Sequence, residues 1–355
     1  MTGTSLDGLD MAALRIVGAG LEMRCEIIGF ASAPLGDLGG PLRALASGVA
    51  MPAQETASLA LRFGQLHAQV AKQLEQHAGG CDLCCAHGQT ICHEPPVSWQ
   101  LCNPWPIAQA LSCPVVTDLR GADLASGGQG APITPIADWV LFKDENEDRL
   151  IVNLGGFCNM TLLRAGEGPN TIAGLDVCAC NQVIDAAARA GIGAPYDGGG
   201  TAALNGSIDE SALAELAQTL SAQATQRRSL GTGDEAWRWV ERWRPKLIGD
   251  DLCATAVAGV AQIIAGAIEK LPVSDDCLIA LAGGGVHNAA LLRAIRSRLP
   301  RRVETTETLR IAPEAREAAC FAVLGALCRD GVPITLPGVT GGKCDLLSGS
   351  WINVR

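Results

Sequence analysis

The chain has 355 residues, of which 48% are hydrophobic and 18% are charged, and its formal net charge is −10. This balance is typical of a folded globular protein and argues against intrinsic disorder, while the length favours two domains. No cluster of basic residues occurs, which argues against a nucleic-acid partner. The first ten residues carry two aspartates and no basic segment like that of a signal peptide, so we expect a cytoplasmic protein.

In the first half of the chain, the patterns predict strands at 9–17 and 26–31, a helix at 54–75, short strands at 81–86 and 114–117, and a helix at 132–142. In the second half, they predict strands at 150–154, 159–163, 171–176 and 277–282, and helices at 181–190, 210–222, 251–269 and 289–299. The apolar stretch 252–268 is too short and too interrupted for a membrane span, so we expect a buried helix. A last helix at 315–329 is expected to lead back to the first domain.

The alternation of strands and helices predicts an α/β fold. A new set of strands begins at residue 150, after a charged turn. We therefore expect an N-terminal domain of residues 1–135 plus about 330–355, and a C-terminal domain of about 136–329.

Fifteen cysteines occur, many of them inside apolar segments, which is typical of reduced thiols that serve as small hydrophobic side chains. A zinc site could be drawn from Cys81, Cys84, Cys85, His87, Cys92 and His93. No second pair follows at zinc-ribbon spacing, so we favour packing over metal binding.

Three glycine-rich turns are the most informative feature of the chain. They lie at residues 3–8, at Gly155 and Gly156, and at residues 283–285 with Asn288 just beyond. Each is small enough for backbone N–H groups to approach a phosphate, and the first also carries hydroxyls and a carboxylate that could hold Mg²⁺ through water. An ordinary hairpin or strand-to-helix turn explains each one separately, but the three together favour a bound nucleotide.

Three further residues are candidates for chemistry. Asp176 is predicted to end a strand, where a carboxylate suits a general base, although a helix N-cap explains it equally well. Glu317 is an acid on an apolar helix and would face either solvent or a ligand. His87 ends a strand before Gly88, and a buried structural histidine is the commoner outcome there.

Together these motifs resemble the anhydro-N-acetylmuramic acid kinase family over nearly the whole chain, from residue 1 to about 342. The resemblance rests on residues 1–10, 87–90, 93–95, 118–132, 153–159, 283–288 and 336–341. It implies two actin-like (ribonuclease H-like) domains with an ATP and sugar cleft between them. It also implies that water opens a 1,6-anhydro amino sugar while the sugar O6 accepts the γ-phosphate of ATP.

The resemblance also implies roles for individual residues. Asp176 falls on the base that activates water, and Asp7 would hold Mg²⁺ through water. The residues implied in ATP and phosphate binding are Thr2, Gly3, Thr4, Ser5, Leu6, Asp7, Gly8, Gly155, Gly156, Gly283, Gly284, Gly285 and Asn288. Those implied in sugar binding are His87, Gln89, Thr90, Arg120, Asn181 and Glu317.

Two departures from the family pattern keep alternatives open. The family follows its base with Gly-Pro-Gly-Asn, whereas this chain has Cys178, Ala179, Cys180 and Asn181, and its arginine-rich stretch is reduced to Arg120. A sugar or nucleotide sensor without turnover and a kinase for another amino sugar are therefore the rival hypotheses. Either a monomer or a homodimer fits the sequence.

The beginning of the sequence is the other departure. The resemblance implies a short strand before the first glycine turn, but only Met1 precedes Thr2. We expect either that the true start lies upstream or that a central strand is lacking, and we favour the first.

Overall fold

The computed structural model describes residues 1–3, 6, 8–225, 230, 236–343 and 346–354, apart from the side chain of Thr225. Two compact units are present. The first comprises Met1–Lys143, Gly168–Ala173 and Ala315–Arg355, and the second comprises Asp144–Glu167 and Gly174–Glu314. Apart from the short segment 168–173, the division falls at 143/144 and 314/315, whereas the sequence suggested about 136 and 330. The second difference arises because helix 316–329 packs within the first unit.

The elements follow in chain order. The first part contains β1 (Gly8–Val17), β2 (Arg24–Pro34), α1 (Gly39–Ala46), α2 (Ala53–Ala78), β3 (Cys84–Cys85), β4 (Gln89–Glu94), β5 (Val97–Leu101), α3 (Trp105–Leu111), β6 (Val115–Thr117), α4 (Gly121–Ala125) and α5 (Pro135–Phe142). The second unit contains β7 (Arg149–Leu154), β8 (Phe157–Leu163), β9 (Ala173–Ala179), α6 (Asn181–Gly191), α7 (Thr201–Asn205), α8 (Glu210–Thr225), α9 (Trp237–Trp243), α10 (Gly249–Glu269), β10 (Leu278–Ala282), α11 (Ala289–Arg296) and β11 (Val303–Thr305). The chain ends with α12 (Arg316–Arg329), α13 (Pro337–Thr340) and β12 (Ser350–Ile352).

The second unit is built on one five-stranded sheet in the order β11-β10-β7-β8-β9. Strand β10 pairs in parallel with β7 and β11, whereas β7 and β8 form an antiparallel hairpin. All five residues of β10 are buried, as expected for a central parallel strand. The carboxyl ends of β7 and β10, from which two of the glycine turns begin, are therefore buried within this sheet.

Helix α10 occupies the core of the second unit. By length and composition it could cross a membrane, but 78% of its most apolar window is buried inside the protein. This burial confirms the expectation of a core helix at 252–268.

The first unit has its strands in three separate sheets. Strands β1 and β2 form an antiparallel pair, β12-β6-β3 form a three-stranded sheet, and β4 and β5 form a hairpin. Helix α2 packs on this unit through a stripe that includes Leu59, Phe63 and Val70, and Gly79 ends it in the left-handed conformation at φ 81°.

The α/β fold class is confirmed, and most predicted elements exist within a few residues of their expected bounds. Three expectations were wrong in detail. The strand at 81–86 shortens to two residues, and the strand expected at 171–176 runs instead as β9. The hairpin β4–β5 lies between two predicted strands and was itself not predicted.

Candidate active site

The glycine turn between β7 and β8 caps a helix in the second unit. The carbonyl of Gly156 accepts hydrogen bonds from the N–H groups of Cys180 (2.9 Å) and Gln182 (3.2 Å), and that of Gly155 accepts one from Asn181 (3.0 Å). These bonds satisfy donors at the start of α6 that have no partner within the helix. The first backbone donors of α6 are therefore already bonded to the turn.

The third glycine turn lies against the end of β7. Gly283 has φ +82°, and a Cβ there would lie 2.7 Å from Asn153 Oδ1 and 2.9 Å from the carbonyl oxygen of Leu154. A Cβ on Gly285 would lie 2.6 Å from Leu154 Cβ. Only glycine satisfies both the left-handed φ at Gly283 and the close approach of the backbones.

Leu154 is the point at which the predicted residues of the second unit meet. Asn181 Nδ2 donates to the Leu154 carbonyl at 3.0 Å, and Gly155 follows Leu154 in the chain. The structure therefore brings together Gly155, Asn181 and the turn at Gly283, which are far apart in sequence.

Asn288 has a structural task. Its Oδ1 accepts a hydrogen bond from the N–H of Leu291 at 3.0 Å and so caps α11. A Cβ on Gly200 would lie 2.3 Å from the same Oδ1, so Gly200 leaves the space that this cap occupies. The fixed Asn288 places the start of α11 directly after the third glycine turn.

Asp176 lies within β9 and not at its end. Its carboxylate accepts a hydrogen bond from the N–H of Leu230 at 2.9 Å, and the N-cap of α6 is Cys180. Both the strand-end position and the capping explanation were therefore wrong. The side chain is only half-buried, so a carboxylate held on a sheet strand keeps access to solvent.

The first glycine turn is described in part. Thr4, Ser5 and Asp7 lie outside the described residues, so the expected hydroxyl and Mg²⁺ contacts stay predictions. The N–H of Leu6 bonds to the Gly3 carbonyl at 3.3 Å, and Leu6 has φ 56°. Thr2 is buried, and its hydroxyl donates to Gln89 Oε1 at 2.6 Å. This bond links a predicted ATP residue to a predicted sugar residue.

His87 and Arg120 form a second linked pair in the first unit. Arg120 Nε donates to His87 Nε2 at 3.2 Å, and Arg120 Nη1 donates to the Gly130 carbonyl at 2.6 Å. Burial, together with the positive Arg120, holds the pKa of His87 well below its ordinary value, so the imidazole is neutral and accepts the bond. His87 is thus the buried, hydrogen-bonded histidine that we considered the commoner outcome, and it orients Arg120.

Thr90 lies on the first strand of the β4–β5 hairpin. It belongs to β4 and pairs with Gln100 of β5.

Glu317 lies in the first turn of α12, next to a buried ion pair that sequence reasoning missed. Arg316 Nε donates to Asp138 Oδ1 at 2.8 Å, and Arg316 Nη2 contacts Asp138 Oδ2 and Thr134 Oγ1. The side chains of Arg316 and Asp138 are 1% and 0% exposed. Burial raises the pKa of the Glu317 carboxyl, against the opposing effect of Arg316. No sequence signal identified Asp138 as the partner.

Asp123 was part of the family resemblance but was not assigned a role. It is buried and accepts hydrogen bonds from the Gly130 N–H (2.7 Å) and the Thr340 hydroxyl (2.6 Å). The N–H of Gln129 also bonds to the Thr340 carbonyl at 2.8 Å. Asp123 therefore joins the loop that contacts Arg120 to the segment 336–341.

Cys178 and Cys180 pack in the hydrophobic core of the second unit. Cys178 and Cys180 are fully buried, and burial raises the pKa of Cys178 well above its ordinary value and that of Cys180 to about 12. Among the described residues, no group of three or more histidine, cysteine, aspartate or glutamate side chains is placed to hold a metal ion. His93, a member of the zinc alternative, lies 2.9 Å from Ser98 Oγ.

In the second unit, two of the three glycine turns meet at Leu154, and the comparisons with known proteins identify the class of protein as a sugar kinase. The sequence model of the family described as anhydro-N-acetylmuramic acid kinase matches residues 1–353. The chain belongs to this family.

Curated relatives span the same length. The anhydro-N-acetylmuramic acid kinase of Salinibacter ruber is 35% identical over 378 aligned positions, which cover 99% of this chain and 94% of that protein. That of Gloeobacter violaceus is 34% identical and covers 96% and 94%. Among solved structures, the activator of the 2-hydroxyisocaproyl-CoA dehydratase from Clostridium difficile with bound ADPNP aligns at a TM-score of 0.45 and 12% identity. That alignment covers 90% of this chain and 94% of the activator.

Proposed function

We propose that the protein converts 1,6-anhydro-N-acetylmuramic acid, ATP and water into N-acetylmuramic acid 6-phosphate and ADP, as a step of cell-wall recycling. The observation that carries this proposal is the family match over residues 1–353, which leaves no large part of the chain outside the family. A cytoplasmic location would supply the ATP.

Asp176 is the proposed general base. Its carboxylate takes a proton from water, the water oxygen bonds to the anomeric carbon C1, and the C1–O6 bond breaks. The released O6 bonds to the γ-phosphorus as the bond to the β-phosphate oxygen breaks. One base therefore serves both bond changes, and the hydrogen bond from Leu230 fixes the carboxylate in one orientation.

The glycine turns are proposed to bind the phosphates of ATP. The start of α6 is already capped by Gly155 and Gly156, so these contacts would come from the N–H groups of the turns themselves. Mg²⁺ takes most of its ligands from nucleotide phosphates and water, so a single carboxylate, Asp7, fits this role without a cluster of acids. Bound Mg²⁺ would neutralise charge on the transferred phosphoryl group.

His87, Gln89, Thr90, Arg120, Asn181 and Glu317 are the proposed sugar contacts. Arg120 would face the lactyl carboxylate of the sugar, since a guanidinium matches a carboxylate. Its orientation is set by neutral His87 and the Gly130 carbonyl.

The test is mass spectrometry of the product formed from Mg–ATP, the anhydro sugar and ¹⁸O-water. We expect a phosphorylated sugar with one heavy oxygen at the anomeric carbon. A folded protein that binds both ligands but leaves the sugar unchanged would contradict the proposal and favour the sensor.

The second candidate function is the phosphorylation of another amino sugar, and the reduced arginine stretch favours it. The same assay with N-acetylglucosamine and with the anhydro sugar lacking its lactyl group separates the two. Equal turnover of the sugars with and without the lactyl group would show that Arg120 does not recognise the lactyl carboxylate.

A further inference from the structure

The cysteines around β3 and β6 have no part in the chemistry proposed above. Cys81 lies just before β3, Cys84 and Cys85 form β3, and Cys113 lies just before β6. All four are free thiols, and no group of three or more potential ligands is placed to hold a metal ion in the part of the chain that the structure describes. The distances between their sulfur atoms therefore decide what these thiols can do.

One sulfur pair in this group is in contact. The Sγ atoms of Cys81 and Cys113 lie 3.6 Å apart, and the Cys113 thiol donates to Cys81, although 32 positions separate the two residues in the chain. A disulfide bond is about 2.05 Å long, so the two sulfurs would have to approach each other by roughly 1.5 Å. Changes in the side-chain torsions of two cysteines can supply a movement of that size.

The backbone holds the two thiols at neighbouring positions. β3 and β6 pair in parallel, with Cys84 opposite Val115, and the N–H of Cys84 donates to the Pro114 carbonyl at 3.0 Å. Cys81 and Cys113 both lie just before the amino ends of these strands. Paired strands lie about 4.8 Å apart, within the distance of about 4.4–6.8 Å between Cα atoms that a disulfide spans.

The two thiols differ in their access to solvent. Cys81 is half-buried, whereas Cys113 is only 2% exposed. The hydrogen bond from Cys113 lowers the pKa of the Cys81 thiol, against the opposing effects of burial and of the acids Glu75 and Asp82. The same bond, together with burial, raises the pKa of Cys113. Cys81 is therefore the thiol that a dissolved reagent reaches first, and Cys113 is the thiol beside it.

Cys84 is the competing partner, because Cys81 and Cys84 have the C-x-x-C spacing of many redox-active pairs. Burial is the main cause that raises the pKa of Cys84, to about 12. Its backbone is fixed in the sheet by the bond to Pro114. The sulfur that bonds to Cys81 belongs to Cys113, so the structure favours the partner that is distant in sequence.

We propose that Cys81 and Cys113 form a reversible disulfide when the protein meets a low-molecular-weight disulfide such as glutathione disulfide. The Cys81 thiolate bonds to one sulfur of the reagent, the S–S bond of the reagent breaks, and one glutathione leaves. The Cys113 sulfur then bonds to the Cys81 sulfur, the mixed disulfide breaks, and the second glutathione leaves. Two protein thiols are oxidised, one glutathione disulfide is reduced, and the two thiol protons end on the two glutathione molecules.

This disulfide would cross-link β3 and β6 at their amino ends. At their carboxyl ends the same strands lead to His87 and Arg120, which are joined by a hydrogen bond of 3.2 Å. The bond would also close the segment 81–113, which contains β4, β5 and α3. Closing such a loop restricts the unfolded chain, so we expect the oxidised protein to be the more stable form.

The first test is disulfide mapping of the reduced full chain after treatment with glutathione disulfide under native conditions. The reaction is quenched with acid, the remaining thiols are blocked with N-ethylmaleimide, and the products are analysed by mass spectrometry. We expect the chain to lose the mass of two hydrogen atoms and to carry a Cys81–Cys113 link. Chymotrypsin cleaves after Leu83 and Leu111, which separates Cys84 and Cys102 from the linked residues. A Cys81–Cys84 link, or no intramolecular link, would overturn the proposal.

Serine variants separate the roles of the two thiols. Cys113→Ser should stop at the mixed disulfide and keep one glutathionyl group on Cys81. Cys81→Ser should react about tenfold more slowly or less, because Cys113 is buried. Cys84→Ser is the matched control and should form the same disulfide as the wild type. Circular dichroism shows whether each variant is folded, and the mapping of the wild type does not depend on them.

Urea unfolding tests the effect of the cross-link. We expect the midpoint to rise when the wild type is oxidised and to return when dithiothreitol is added. Cys113→Ser, treated in the same way, should show no rise. A midpoint that stays the same or falls in the disulfide-bonded protein would overturn the stabilising role of the bond.

Discussion

The two units fix their site residues by different means. In the second unit, backbone bonds, close glycine contacts and one side-chain bond, from Asn181, gather the turns around Leu154 on a continuous five-stranded sheet. In the first unit the strands are divided among three sheets, and side-chain bonds join the segments: Thr2 to Gln89, Arg120 to His87, Thr340 to Asp123, and Arg316 to Asp138. We therefore expect substitutions of single polar side chains to destabilise the first unit. In the second unit, we expect substitutions of the closely packed glycines to be the destabilising ones.

Asp176→Asn should give the largest effect and separate chemistry from folding in the second unit. The amide keeps an oxygen for the Leu230 N–H but cannot take a proton from water, so we expect kcat to fall by ~10²–10⁴. Turnover of the anhydro sugar measures kcat, and circular dichroism of the same sample shows whether the variant is folded. Unchanged turnover would remove Asp176 from the mechanism.

Arg316→Met tests the side-chain links of the first unit. It leaves the buried Asp138 carboxylate without its ionic partner, so we expect a loss of about 3–5 kcal/mol in the free energy of unfolding. The double variant Arg316→Met with Asp138→Leu should recover most of that loss in urea denaturation. If the double variant loses as much as the single one, the ion pair is not the cause.

Gly283→Ala tests the close packing of the second unit. The new Cβ would meet Asn153 Oδ1 at 2.7 Å in a backbone with φ +82°, so we expect roughly 1–3 kcal/mol of destabilisation. Gly284→Ala is the matched control, since its nearest neighbour would lie 4.0 Å away. Equal stabilities of the two variants in urea would show that this turn tolerates side chains.

Because His67 is buried in the first unit, we expect the free energy of unfolding to depend on pH. Burial lowers its pKa to about 3, so the folded protein binds this proton less well than the unfolded chain. The stabilising contribution is present above pH 6.5 and is lost as the pH falls toward 3. It should decrease by about 1.4 kcal/mol between pH 8 and pH 5.5.

Unfolding of the wild type and of His67→Gln at both pH values checks this prediction. The variant should lose that part of the pH dependence, because glutamine does not titrate. The same slope in both proteins would assign the effect to another group.

The sequence could predict what depends on local pattern and could not predict what depends on distant partners. Period and composition identified most strands and the buried helix α10, and the two glycine turns of the second unit follow β7 and β10 as expected. Asp176 was misplaced, because β9 continues through Cys178 and Ala179, which are buried small side chains and not turn residues. The bonds of Arg316 to Asp138 and of Thr340 to Asp123 span 178 and 217 positions, so no local pattern could reveal them.

The buried cysteines of the second unit can be used to follow its unfolding. Cys158, Cys178, Cys180 and Cys277 of the second unit are all 0% exposed, and burial raises the pKa of each thiol, so the thiolate needed for alkylation is scarce in the folded state. Iodoacetamide should therefore modify them only when the unit unfolds. The rate at which the mass increases with each alkylated cysteine would therefore give the unfolding rate of the unit, without any added dye or engineered label.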